Sequence, residues 1–286
     1  MSLITEPWQS GLVARAGVAL LIVGILGGVI GVFVVVRGLS FTVEAFAHTA
    51  FPGAVLATAA GGSIVLGGLA AVLVTAVAIA LAMRSDRISD DAAISVVFTG
   101  LFAVGAILFT TLGPFDRDIT SFLFGSLLGA DRRDLVMLSA GALVVGAALW
   151  ALRRPLILTS FDPAFASVVG TRPGRVQLAL LGLVGVSVVI AVQAVGNMLV
   201  LAMLVIPAAT ARLLTRRLPA TFAVSVAAGV LATLIGFYVS YYASAATGAC
   251  VVLAAVALLL IAALARPLIR RGRSVAVGGA AAPTSA

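Results

Sequence analysis

Residues 11–36 read GLVARAGVALLIVGILGGVIGVFVVV, an apolar run broken by one charge, Arg15. As an α-helix rising 1.5 Å per residue it is long enough to cross a hydrocarbon core about 30 Å thick. It is too long for the apolar core of a signal peptide, and Glu6 stands before it where a signal peptide would carry basic residues. It reads as the first transmembrane helix. Further apolar runs follow at about 44–60, 62–83, 92–113, 134–152, 174–194, 196–213, 219–240 and 246–265. The fold class is all-α and polytopic, with about nine transmembrane helices. Eight is the alternative count, because only a glycine or two divides 44–60 from 62–83 and 174–194 from 196–213. Gly24/Gly28 and Gly27/Gly31 in the first run are small-xxx-small pairs, which let helices pack closely in lipid.

The composition agrees. The chain is 62% hydrophobic, only 10% charged, and its mean hydropathy is +1.25, as in a multi-pass membrane protein. Its one cysteine, Cys250, excludes an intrachain disulfide. All 18 basic residues are arginine. They lie between apolar runs, which points to membrane topology and anionic lipid headgroups rather than nucleic acid. Without lysine the chain cannot hold a standard phosphate-binding P-loop, so an ATP-driven process needs its ATPase on another subunit.

Cationic residues favour cytoplasmic loops. A cytoplasmic C-terminus and nine helices put the N-terminus outside. The cytoplasmic side then collects Arg37, Arg84, Arg87, Arg153, Arg154, Arg172, Arg175, Arg212, Arg216, Arg217, Arg266, Arg270, Arg271 and Arg273, 14 of the 18. Arg15, Arg117, Arg132 and Arg133 remain outside. The domain organisation is a short extracytoplasmic N-terminus (1–10), one transmembrane domain (11–266) and a basic cytoplasmic tail (267–286). The end of the tail, SVAVGGAAAPTSA, has the small-residue composition of a disordered segment.

Four stretches could carry chemistry. EAFAHTAFPG, residues 44–53, holds the sole histidine, His48, four positions after Glu44. On a helix the two share one face. Ionisable groups in membrane helices usually face a bundle interior or a wet path. A carboxylate and an imidazole suit divalent zinc or manganese, and two ligands make an open, weak site, as permeation requires. The competing reading is mutual neutralisation near the cytoplasmic interface. In the second stretch, SFDPAFASVVG (160–170), Asp162 is a good N-cap, Pro163 suits the first helical position and Gly170 suits the C-terminus. The short helix Ala164–Val169 has an apolar face of Phe165 and Val168 or Val169. It is either a docking element or a helix lying on the membrane.

The third stretch is GNMLVLAMLVIPAATAR, residues 196–212. Gln193 and Asn197 flank the turn at Gly196, and Pro207 with Thr210 marks either a mobile helix end or ordinary membrane architecture, with a break expected at Pro207. The fourth is LFGSLLG, 123–129, with Asp116, Asp118, Asp131 and Asp134 around it. These pair with Arg117, Arg132 and Arg133 or attract cations.

In this order, from about Arg37 to Leu260, the four stretches resemble the ABC-3 family of permeases, the membrane subunits of bacterial zinc and manganese ABC importers. The resemblance implies a multi-pass bacterial plasma-membrane protein that is not itself an enzyme. It implies a second permease copy, two cytoplasmic ATPase subunits that bind ATP, and an extracytoplasmic metal-binding protein. There is no covalently bound cofactor; the cargo is Zn2+ or Mn2+. The family's acidic–histidine pair falls on Glu44 and His48. Its coupling helix falls on Asp162–Gly170, and so on Asp162, Pro163, Phe165, Ala166 and Gly170. Gly196, Asn197, Pro207 and Thr210 fall in the candidate gate or hinge. The family commonly has aspartate where Glu44 stands, and the stretch Tyr241–Gly248 lacks the proline often found before that glycine.

Two other transport classes fit parts of this pattern. A siderophore or vitamin B12 permease would not need Glu44 and His48 as ligands. A proton-coupled secondary metal carrier could use the pair as a relay, would need no docking helix, and would respond to a pH gradient without ATP. A membrane enzyme has little to work with: one histidine, and neither an HExxH nor a GxSxG motif.

Overall fold

The computed structural model describes residues 2–83, 89–111 and 132–278, with side chains placed from residue 6 to residue 266. Arg84, Arg87, Asp116, Arg117, Asp118, the 123–129 stretch, Asp131 and residues 279–286 lie outside the described residues. The described chain is helical and contains no strand. Its helices are α1 Ser2–Gln9, α2 Gly11–Val36, α3 Ser40–Ala59, α4 Ile64–Ala82, α5 Asp90–Thr111 and α6 Arg132–Ala151. They continue with α7 Arg153–Phe161, α8 Pro163–Val168, α9 Pro173–Val195, α10 Asn197–Leu214, α11 Leu218–Ala243 and α12 Thr247–Gly278.

Eight of these helices are long and apolar enough to cross a membrane: α2, α4, α5, α6, α9, α10, α11 and the Thr247–Arg266 part of α12. Helix α3 has the length, 20 residues, but is not among the eight. Its Glu44, His48, Thr42, Thr49 and Pro52 dilute its hydropathy. The described residues thus hold eight strongly apolar candidate spans, the alternative count, and α3 is a polar-marked helix in the core.

The core is built on α2, α3, α9 and α10. In α2, 67% of the most apolar window is buried, against 17% in α5 and in α6. Backbones meet where side chains are absent. A Cβ added at Gly27 would lie 2.5 Å from the Met203 carbonyl oxygen of α10, and one at Gly28 would lie 2.7 Å from the Val226 Cα of α11. Between these contacts α2 is clamped by two helices at once, as its paired glycines predict. Outside the core, Leu66, Val96, Leu143, Leu253 and Leu264 stand exposed. Such an apolar girdle suits a helical bundle in lipid.

Toward both ends of the chain the described residues are helical. Residues 2–9 form a helix whose Trp8 Nε1 donates to the Tyr238 hydroxyl at 3.0 Å, with its ring against Phe237. Helix α12 runs past Arg266 to Gly278, so the first part of the 267–286 tail is helical.

Candidate functional site

Helix α3 leaves α2 through one tight turn. Gly38 takes a left-handed φ of +70°, Leu39 N–H donates to the Val34 carbonyl (2.8 Å) and Gly38 N–H to that of Val35 (3.4 Å). This is the Schellman pattern, and it fixes the exit angle. Leu39 is buried, and its carbonyl receives Thr42 and Val43 N–H as the first bonds of α3. Glu44 and His48 follow on one face, both half-buried.

Contacts from a neighbouring helix hold the His48 ring. It lies tilted against Phe98, centroids 5.6 Å apart, and edge-on to Phe102 at 5.8 Å. Both phenylalanines belong to α5, and Phe41 adds an edge contact to Phe98. The Pro-Gly end of the motif has a packing role. Pro52 fills the space over Gly105 of α5, and Gly53 meets the Gly67 carbonyl and Ala71 of α4. Pro52 has no N–H and can donate nothing to the His48 carbonyl.

Glu44 and His48 make no hydrogen bond or ion pair with each other or with any other described residue. Among the described residues no three His, Cys, Asp or Glu side chains come together as a metal centre. Among the described residues, this place offers a carboxylate and an imidazole.

The Asp162–Gly170 stretch folds as its residue types require. Asp162 Oδ1 accepts Phe165 N–H at 2.8 Å, Pro163 opens α8, and Gly170 (φ +84°) closes it while Thr171 N–H donates to the Ala166 carbonyl at 2.9 Å. Ala166 is buried, whereas Phe161, Phe165, Val168 (83% exposed) and Val169 stand out together. A cavity of about 820 Å³ opens beside α8, between the end of α4, the start of α5 and the start of α9, with Asp90, Arg172 and Arg175 at its polar wall.

Gly196 (φ +89°) forms the turn between α9 and α10, and Asn197 opens α10 nearly buried. The break expected at Pro207 does not occur: α10 runs through it from Asn197 to Leu214. The carbonyl that Pro207 leaves without a helical donor belongs to Met203, and it lies over Gly27 of α2, so the ring is absorbed in the packing. The Thr210 hydroxyl donates to the Ile206 carbonyl at 2.9 Å, within its own helix. The three groups of residues stay apart along the bundle: Glu44/His48 inside α3, α8 at one end, and the Gly196 turn at the far end of α9.

Sequence reasoning used Arg37 only as a topological charge. In the structure its guanidinium joins three helices, donating to Ser160 Oγ (2.8 Å), Gln177 Oε1 (2.6 Å), the Leu156 carbonyl (3.0 Å) and Thr159 Oγ1 (2.5 Å). Only its place directly before Gly38, at the end of an apolar run, set it apart from the other arginines.

Known proteins carry the same architecture. The chain is 36% identical over 248 residues to the "Manganese transport system membrane protein MntC" of Halalkalibacterium halodurans, covering 87% of this chain and 85% of that one. It is 32% identical to a "Probable iron transport system membrane protein" of Haemophilus influenzae, covering 91% and 95%. The solved structure of "PsaBC from Streptococcus pneumoniae in complex with Fab" superposes with a TM-score of 0.80 at 28% identity, covering 91% of this chain and 94% of that one. The family model described as "ABC 3 transport family" matches residues 9–266, from the end of α1 to the last residue of the final apolar span. With the polar-marked α3 inside an otherwise apolar bundle and the capped α8 beside α7, this chain belongs to the ABC 3 transport family, as a multi-pass permease of the bacterial plasma membrane.

Proposed function

We propose that the chain is the membrane subunit of an importer for a divalent first-row transition metal, manganese first and zinc second. The observation that carries this is the pair Glu44/His48, half-buried in the core of a family permease and without a hydrogen-bonded or ionic partner among the described residues. Hard carboxylate and borderline imidazole donors accept Mn2+ or Zn2+, and the manganese transport proteins similar to this chain support that order. Two ligands hold the ion weakly enough to release it. A second copy of the chain or water completes the shell.

In this reading the N-terminus lies outside and the C-terminus in the cytoplasm, which the arginine distribution supports. ATP is bound and hydrolysed on two partner subunits that dock on the apolar ridge Phe165, Val168 and Val169, with Asp162, Pro163, Ala166 and Gly170 shaping its helix. A metal-binding protein delivers the ion outside. The turn at Gly196–Asn197 and the Pro207/Thr210 segment form the part of the bundle that shifts as access alternates. The organisation in this reading is a short outer terminus 1–10, a transmembrane domain 11–266 and a cytoplasmic tail 267–286.

Uptake of manganese, zinc and iron, measured separately in cells lacking their own importer, tests the reading. Glu44→Gln and His48→Ala, at matched membrane expression, lower uptake of one metal by at least about tenfold, as lost ligands do. Wild-type uptake by both variants of all three metals would overturn the metal role of the pair. Uptake driven by a pH gradient without ATP would favour a secondary carrier.

A further inference from the structure

Arg37 is a half-buried cation held entirely by neutral groups. Four of its five N–H donors reach Ser160, Thr159, the Leu156 carbonyl and Gln177 at 2.5–3.0 Å. It has no carboxylate partner among the described residues. Burial lowers its pKa from the usual arginine value. Burying an unpaired charge costs stability unless hydrogen bonds compensate, and anchoring α2 on its neighbours needs no charge at all.

The acceptors are placed so that they transmit motion. Thr159 and Ser160 precede Asp162, the shared cap where α7 ends and α8 begins. Each hydroxyl also donates backward within α7, Thr159 to the Pro155 carbonyl (2.7 Å) and Ser160 to that of Leu156 (2.6 Å). Their orientations are therefore locked to α7. Gln177 lies in the first turns of α9, just beyond the Gly170 closure. On its other side Arg37 is the C-cap of α2, and the two backbone bonds of the Gly38 turn join it rigidly to α3. Glu44 is less than two turns further on.

We infer that Arg37 is the positioning residue that couples movement of the α8 docking helix to α3, and so to the Glu44/His48 pair. The guanidinium fork gives a stiff joint with fixed bond directions, which a lysine cannot reproduce. The inference rests on the transport reading above and extends it to a residue outside the Glu44/His48 pair and the α8 ridge.

The test is the number of manganese ions taken up per ATP hydrolysed, in liposomes holding the complete complex with its ATPase and metal-binding protein. Arg37→Gln leaves ATP hydrolysis within about twofold of wild type and lowers ions per ATP by about tenfold, in the range seen for coupling residues. Gln177→Leu and the double variant Thr159→Val/Ser160→Ala lower the ratio in the same direction by smaller factors, and Arg37→Lys recovers part of it. A purely structural role predicts otherwise: melting temperature, hydrolysis and uptake fall together and the ratio stays constant. An unchanged ratio across the set overturns the inference. So does a wild-type ratio in the Gln177 and Thr159/Ser160 variants if Arg37→Gln fails to assemble. Wild-type complex that takes up no manganese with ATP would overturn the transport reading and this inference with it. An unchanged ratio beside normal wild-type uptake overturns the inference alone.

Discussion

Glu44 and His48 sit one helical turn apart, yet the bundle treats them differently. The imidazole is braced by Phe98 and Phe102, while the carboxylate has no hydrogen-bonded or ionic partner among the described residues. Under the proposed metal role, the braced ring is the fixed ligand of the pair and the carboxylate the adjustable one. Ring contacts of this kind are worth about 0.5–1.5 kcal/mol. Phe98→Leu accordingly raises the half-saturating metal concentration about 2- to 10-fold in an uptake titration while leaving the maximal rate near wild type. The spacing of Glu44 and His48 was legible in the sequence because helical periodicity alone puts them on one face. The bracing rings were not: Phe98 and Phe102 lie in a distant apolar run where every phenylalanine looks like lipid-facing bulk. Arg37 was hidden for a related reason, since one arginine at a span end matches any topological arginine until its acceptors are brought to it by folding.

At the scale of the helix, contact between backbones decides what can be changed. Gly27 and Gly28 admit the Met203 carbonyl and the Val226 backbone at distances no side chain tolerates. Gly27→Val must push α10 away or bend α2. It costs about 1–3 kcal/mol, the usual penalty for overpacking, and appears as a lower melting temperature and reduced yield in detergent. The small-xxx-small pairs in the sequence foretold this packing, and the cap residues foretold α8 to within one residue at each end. Pro207 misled because its helix-breaking tendency is a local property. Here the freed Met203 carbonyl settles over Gly27, a position that only the folded α2 supplies, so the helix continues.

The arrangement of the whole molecule explains why the number of spans was ambiguous in the sequence. Eight helices announce themselves by hydropathy, and α3 does not. The threonines Thr58, Thr75, Thr210 and Thr233 donate to the carbonyl four residues back, whereas Thr42 and Thr49 in α3 are fully buried and leave their hydroxyls without a partner among the described residues. Each such group costs about 1–3 kcal/mol, beyond the cost of placing Glu44 and His48 in an apolar phase. What compensates α3 is its neighbours, above all the close approach of Gly53 to Gly67 in α4. The consequence belongs to biosynthesis. Because α3 is less apolar than the eight candidate spans and precedes α4 in the chain, it is expected to enter the bilayer together with α4, as two arms of a hairpin. With the N-terminus outside, as proposed, a reporter fused after Gly61 in a chain ending there is exported at least about fivefold less efficiently than the same reporter placed at Gly61 of the full chain. On that expectation the helix that carries the candidate metal ligands inserts only in company.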